Sequence, residues 1–289
     1  MTAPRSISPQ TQFCMVIGDP IGHSLSPAIH NAAFNTLGLD YVYLASRVQD
    51  VRHALAGMRA LENFRGMSIT IPHKIAAMQY VDAIDPVDQA IGSINTVIND
   101  KGRLVGFGTD GPGALKALAD AGAAIDDKQV LMLGAGGAAR AIAFTLANQT
   151  RLRRLTILDV DDGLRDELSA DLRNGTSAAI EDRKFNDETL TAAMAQADVI
   201  VHCTPIGMHP KAGVSLVPQN LFRKDQVVFD IVYSPLETRL LSEAKASGLQ
   251  VISGVEMFVN QAVLQFERFC GAQAPVDVMR QVVLEQLAS

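Results

Sequence analysis

Two short stretches hold residues whose types and spacing can do chemistry. The first, "VLMLGAGGAARA", sets Gly134-x-Gly136-x-x-Ala139 between an apolar run and a helical pattern. In that setting Gly134 permits a tight turn and Gly136 lets a pyrophosphate approach the backbone. The helix N-terminus then favours the anion. The next apolar run ends at Asp159, 25 residues beyond Gly134, where a carboxylate can accept hydrogen bonds from adenosine ribose hydroxyls. Asp161 and Asp162 follow at once. Three carboxylates would repel a 2′-phosphate, so the stretch predicts NAD rather than NADP as cofactor. Arg151, Arg153 and Arg154 precede this run, at its opposite end, and read as surface cations. The second stretch, "GMSITIPHK", runs from Gly66 to Lys74. Apolar residues alternate with Ser68 and Thr70, the pattern of a strand with one covered face. Pro72 cannot donate to a sheet ladder and ends it. Lys74 then stands at the tip, as a solvated strand end or as an ammonium group delivered for chemistry.

The elements that must position these residues alternate between strand and helix, which predicts an α/β fold with mostly parallel sheets. "FCMVIGDP" is a buried strand closed by a turn, and "PAIHNAAFNTLG" a helix led by Pro27 and stopped at Gly38. "DYVYLAS" is a strand, Val51 to Leu61 a helix, Gly66 to Ile71 a strand and "HKIAAMQYVD" a helix. "SINTVIND" and "GRLVGFGTD" form a hairpin about Asp100-Lys101-Gly102. "GPGALKALADAG" is a helix leaving this part. Beyond it "KQVLML", "RLTILD", "ADVIVHCT", "QVVFDIV" and "LQVISG" are strands of a dinucleotide-binding domain, and "EMFVNQAVLQFERFCG" begins a helical tail. The predicted division is a substrate-binding α/β domain over 1–113, to which helices in 255–289 return, and a Rossmann NAD-binding domain over 114–254.

Bulk properties exclude several classes. Of 289 residues 48% are hydrophobic, enough for real cores. The formal net charge is −6, with no basic run, so no nucleic-acid partner is expected. Cys14, Cys203 and Cys270 lie far apart without C-x-x-C spacing, which is neither a disulfide framework nor a zinc site and fits a reducing cytoplasm. "MTAPRSISPQTQF" lacks the apolar core of an export signal. The longest apolar segment, Val130 to Ala147, is interrupted by glycines and Arg140 and is no membrane span. The histidines show no metal-ligand spacing, so no metal is expected.

The chain resembles the shikimate dehydrogenase family, including its quinate dehydrogenase branch. The resemblance rests on "VIGDPIGHSLSPAIHN", "GMSITIPHK", "IGSINTV", "GFGTDGPG", "LGAGGAARA", "CTPIGM", "DIVYSPLETRLL" and "GVEMFVNQA", in the family's order from about residue 16 to 270. It implies an N-terminal substrate domain, a Rossmann domain, a C-terminal helix packing back on the first, and an active site in the cleft between them. It also implies that Lys74 pairs with Asp110 as the proton-transfer pair. Ser24 and Ser26 match the pair that holds the substrate carboxylate, although Ser26 could instead cap the helix after it. Thr70 and Asn95 match residues that bind ring hydroxyls, with Ser68 beside them, and Gln261 and Tyr233 match residues facing the substrate. For the cofactor, the resemblance adds Ala135, Gly137, Ala138, Thr204, Pro205, Met208, Val232, Gly254 and Met257 to Gly134, Gly136 and Asp159. Met257 reads equally as helical core.

Three positions depart from the family pattern, with Ser68, Gly108 and His202 where it has asparagines. Ser68 and Gly108 remove amides near the substrate hydroxyls and leave room for water or a bulkier ring substituent, such as the extra hydroxyl of quinate. His202 could contact the nicotinamide ribose or fill space. The expected activity is NAD-dependent reversible oxidation of a ring hydroxyl of shikimate, quinate or a close cyclic hydroxy acid, by a cytoplasmic monomer or homodimer. A dehydrogenase of a specialised analogue such as an aminoshikimate, or a catalytically weak NAD-binding sensor, are the alternatives.

Overall fold

The computed structural model describes residues 7–288, so the leading segment read for an export signal lies partly outside the described residues. The chain divides into two compact units. One comprises residues up to Thr109 with Ala262–Gln286, the other Asp110–Gln261.

The first unit opens with β1 (Gln12–Gly18), α1 (Ser26–Thr36), β2 (Tyr41–Arg47), α2 (Val51–Arg59) and β3 (Phe64–Ile69). It continues with β4 (Ala83–Ile84), α3 (Pro86–Ile91), β5 (Thr96–Asp100) and β6 (Arg103–Phe107). The sheet order is β2-β1-β3-β5-β6-β4, with β1 parallel to both β2 and β3 and the β3-β5-β6 stretch antiparallel. The β5–β6 hairpin turns at Lys101 (φ 52°) and Gly102 (φ 90°), the left-handed pair that a two-residue turn requires. Ile17, Met67, Ile69, Val97 and Leu104 point from the sheet into a core closed by Val51, Leu55 and Ala77. "HKIAAMQYVD" yields only a short 3-10 turn, Ala76–Tyr80. Asp82 N donates to Leu104 O, and the Asp82 carboxylate accepts from Arg59 and from Leu104 N, which draws the chain into β4 before a helix can lengthen.

The second unit contains α4 (Asp110–Asp120), β7 (Gln129–Leu133), α5 (Gly137–Gln149), β8 (Arg154–Asp159), α6 (Asp162–Gly175), β9 (Ile180–Lys184) and α7 (Asp187–Met194). β10 (Val199–His202), β11 (Val227–Asp230), α8 (Arg239–Ala246) and β12 (Gln250–Ile252) complete it. Its six strands are parallel in the order β12-β11-β10-β7-β8-β9, the doubly wound arrangement whose switch point lies between β7 and β10. β9 escaped the sequence reading because "IEDRK" is mostly charged, as suits a strand at a sheet edge. Leu131, Leu133, Leu158, Ile200 and Val228 pack with Leu190, Met194, Leu240 and Leu241 on one face of the sheet. α9 (Gly254–Cys270) begins in the second unit and ends in the first, and α10 (Val276–Ala288) follows.

Candidate active site

In the second unit, the glycine turn joins β7 to α5. Gly134 has φ +109°, and a Cβ there would lie 2.8 Å from Cys203 O and 3.0 Å from Thr204 Cγ2. Only glycine lets these two chain segments touch. Gly136 is the N-cap of α5, and a Cβ on Gly136 or Gly137 would meet nothing within 4 Å. The open space lies over the helix end whose first N–H groups have no intrahelical partner. That cradle fits a dinucleotide pyrophosphate. Ala135 is buried and Ala138 lies in the first turn of α5.

Asp159 ends β8, but its carboxylate turns back into the fold. Oδ2 accepts from Ala135 N at 2.6 Å and Oδ1 from Asp161 N at 2.8 Å. Asp161 caps α6 by accepting from Leu164 N. Asp162 meets Lys184 Nζ at 3.0 Å and Arg165 Nη1 at 2.6 Å, and these cations hold its carboxyl below the usual carboxylate range. Lys184 lies opposite Asp159 in the β8–β9 ladder. The acidic run is thus spent on caps, a turn and ion pairs. Arg151 pairs with Asp127, and Arg154 with Glu181.

His202, at the end of β10, is buried and neither faces open space nor merely fills it. Its Nδ1 lies 2.8 Å from Asp230 Oδ1, and its Nε2 lies 2.6 Å from Thr204 Oγ1. A carboxylate only accepts, so Nδ1 carries the hydrogen and Nε2 accepts the Thr204 hydroxyl. Asp230 also accepts from Val232 N and Thr238 Oγ1. Thr204, placed beside Gly134, is therefore held by a buried chain. Pro205 and Met208 continue the same exposed turn. Gly254 packs tightly on the Ile231–Val232 backbone. Tyr233 stacks on Phe258 with ring centroids 4.8 Å apart, and burial pushes its phenol pKa up. Met257 is buried in the first turn of α9, and Gln261 donates to Phe258 O. Asp110 is the first residue of α4, where the helix dipole favours a carboxylate.

In the first unit, Lys74 follows β3 in a turn held by His73, whose buried ring lies 2.6 Å from Val48 O through Nε2. Lys74 O accepts from Ile94 N. Thr70 directly follows β3, its backbone N–H on Ile17 O. Ser26 begins α1 without capping it. Ser24 Oγ instead accepts from Ser26 N at 3.3 Å. Asn95 is buried, and its carboxamide is bonded to Thr109 and Thr96. Ser68 lies buried with its hydroxyl committed inside the unit, accepting from Tyr43 and donating to Gln265. The room expected at Gly108 is filled. A Cβ there would sit 2.3 Å from Asp88 Oδ1, and Asp88 accepts from Gly108 N. Sequence reasoning missed Tyr43, Asp88, Thr96, Thr109, Asp230, Thr238 and Gln265. Two signals were available. Asp230 is a carboxylate at the end of an otherwise apolar strand, and Gln265 stands one helical turn from Gln261.

Comparison with known proteins places this geometry. Residues 16–97 match the shikimate dehydrogenase substrate binding domain, residues 254–284 the shikimate 5'-dehydrogenase C-terminal domain, and residues 130–212 the saccharopine dehydrogenase NADP binding domain. A shikimate dehydrogenase (NADP(+)) of Dehalococcoides mccartyi is 40% identical over 266 residues, covering 91% of this chain and 92% of its own. The Listeria monocytogenes shikimate 5-dehydrogenase, solved with shikimate and NAD, superposes with a TM-score of 0.92 at 34% identity, covering 98% of this chain and 100% of its own. A shikimate dehydrogenase solved with NADP+ gives 0.91 at 34% identity, with full coverage of both chains. The expectation of NAD as cofactor is corrected by these findings. The curated relatives carry NADP(+) in their names, and the domain model over the glycine turn is an NADP-binding one. The physical reason lies in the surroundings of Asp159: each of its oxygens accepts a backbone N–H, from Ala135 and Asp161, and Lys184 stands opposite it in the ladder, so the repulsion of a 2′-phosphate is weaker than the bare run of carboxylates implies.

Proposed function

Since this chain belongs to the shikimate dehydrogenase family, we propose that it catalyses the reversible, NADP-dependent oxidation of a ring hydroxyl of shikimate to the 3-dehydro ketone. The observation that carries this reading is the 40% identity, over 91% of the chain, to a relative named for that activity.

NADP, when bound, supplies hydride acceptance at its nicotinamide. The protein's own residues bind, orient and move a proton. Gly134, Gly136 and Gly137 with the α5 N-terminus would hold the pyrophosphate. Lys184, opposite Asp159 in the β8–β9 ladder, and Arg165, paired with the same Asp162, would be the cations to meet a 2′-phosphate. Thr204, Pro205, Met208, Val232, Gly254 and Met257 would line the nicotinamide end. Ser24 and Ser26 would take the substrate carboxylate, and Thr70, Asn95, Tyr233 and Gln261 the ring. Lys74 and Asp110 would act as the proton-transfer pair, with Lys74 taking the hydroxyl proton during oxidation and Asp110 keeping the ammonium oriented. Quinate draws no support from the space around Gly108, because Asp88 occupies it.

The test is steady-state turnover of shikimate and of quinate with NADP, followed by the absorbance of the reduced cofactor. Turnover of shikimate with a higher kcat/KM than quinate is expected. No turnover of shikimate with NADP would overturn the reading.

A further inference from the structure

Within the first unit, hydrogen bonds join six side chains, and they run in one direction from Tyr43 as far as Asn95, whose Oδ1 also accepts from the Thr109 hydroxyl at 3.2 Å. Tyr43 Oη donates to Ser68 Oγ at 2.6 Å, and Ser68 Oγ donates to Gln265 Oε1 at 2.7 Å. Gln265 Nε2 donates to Thr96 Oγ1 at 3.0 Å, and Thr96 Oγ1 donates to Asn95 Oδ1 at 2.9 Å. Asn95 Nδ2 donates to Thr109 Oγ1 at 2.9 Å. The direction is not arbitrary. Thr109 N, which can only donate, lies 2.8 Å from Asn95 Oδ1, so that atom is the oxygen and the amide faces are fixed. With Oδ1 saturated by Thr96 and Thr109, the Thr96 hydroxyl hydrogen is spent on Asn95. Thr96 must then accept from Gln265 Nε2, which orients Gln265 with Oε1 toward Ser68.

The network is buried. Tyr43, Ser68, Asn95 and Thr96 are buried, and Gln265 is 2% exposed. The Tyr43 ring stacks on His30 at 4.3 Å between centroids, beside Phe269, and Phe266 also stacks near His30, at 6.2 Å. In such a medium each bond is strengthened, and a broken link leaves unpaired polar atoms.

We propose that Gln265 is a positioning residue: by donating to Thr96 Oγ1 it turns the Thr96 hydroxyl onto Asn95 Oδ1, and this bond, together with the one from Thr109 N, holds the carboxamide with its Nδ2 as the donating group, so that Asn95 meets the substrate as a hydrogen-bond donor. A donor suits the ring oxygen at every stage, since hydroxyl, developing alkoxide and ketone oxygens all accept. Ser68 and Tyr43 are the outer links of the same device rather than substrate contacts. This inference rests on the proposed activity and on Asn95 lying against the substrate.

The test is a double-mutant cycle of Gln265→Leu and Asn95→Ala, read as kcat/KM for shikimate and KM for NADP. Gln265→Leu alone should lower kcat/KM for shikimate about tenfold with KM for NADP unchanged. In the Asn95→Ala background the same substitution should cost about twofold or less, because its route to the substrate has gone. Additive losses, or an undiminished kcat/KM in Gln265→Leu, would overturn the inference and leave the activity intact. If Gln265→Leu does not fold, Ser68→Ala runs the same cycle at the next link, with the same non-additivity expected. An unmodified protein that does not turn over shikimate removes the proposed activity, and this inference with it.

Discussion

The buried Asp230 offers the sharpest test of how the second unit holds its cofactor turn. Its carboxylate accepts from His202 Nδ1 at 2.8 Å, Val232 N at 3.0 Å and Thr238 Oγ1 at 2.6 Å, and the residue is fully buried. Asp230→Ala strands three donors in the interior. Each unmade buried bond costs roughly 1–3 kcal/mol, and partial re-pairing among the three donors keeps the total at about 3–5 kcal/mol. At roughly 2–4 °C per kcal/mol for 150–250 residues, the melting temperature of the second unit should fall by about 6–20 °C. Asp230→Asn keeps an acceptor for His202 and Val232 N and should cost about half as much. The loss should also reach function. His202 would no longer be oriented toward Thr204, and Thr204 abuts the glycine turn, so the Kd for NADP should rise by about tenfold in variants that remain folded. Thermal melts by circular dichroism and fluorescence titration with NADP measure both. A fall of less than about 2 °C in Asp230→Ala would refute the reasoning.

Lys74→Ala should lower kcat by about 10²–10⁴-fold, as expected for loss of a general acid or base, while the Kd for NADP stays near its original value; an unchanged kcat in steady-state assays removes Lys74 from the chemistry. Gly136→Val should fold normally, since a Cβ there meets nothing within 4 Å, yet it should raise the Kd for NADP at least about tenfold by filling the cradle; unchanged affinity would put the pyrophosphate elsewhere. His30 gives a pH prediction. Burial pushes its imidazole down to about 3, against the opposing Gln265 carboxamide. The unfolded chain takes up the proton near pH 6.5 while the folded one resists, so stability is whole above that pH. It is lost as pH falls toward 3, by about 5 kcal/mol in the limit. In urea melts across that range, His30→Leu should flatten the acid decline, and a variant curve parallel to the unmodified one would count against the assignment.

Local chemistry made much of this protein readable. Glycine between a strand and a helix, positive-φ residues at a hairpin and apolar runs of strand length are rules about near neighbours, so β7, α5, β8 and the β5–β6 turn could be read from residues alone. Charge was harder. "DVDD" reads as repulsion only while its carboxylates point outward, and their direction depends on Ala135, Leu164, Arg165 and Lys184, of which Ala135 and Lys184 lie on other elements. Gly108 looked like vacant space for the same reason, because Asp88 stands 20 residues away in sequence.

By itself the sequence determined the two α/β units, the glycine turn and the set of hydroxyl, amide, lysine and aspartate residues from which a site could be made. Only tertiary structure decided what those side chains bond to. Ser68 finds Gln265 197 residues along the chain, and His202 finds Asp230 across neighbouring strands. A side chain's type limits what it can donate or accept, but a hydrogen bond needs a partner within about 3 Å, and in a folded chain that partner is set by which distant elements the core packs together.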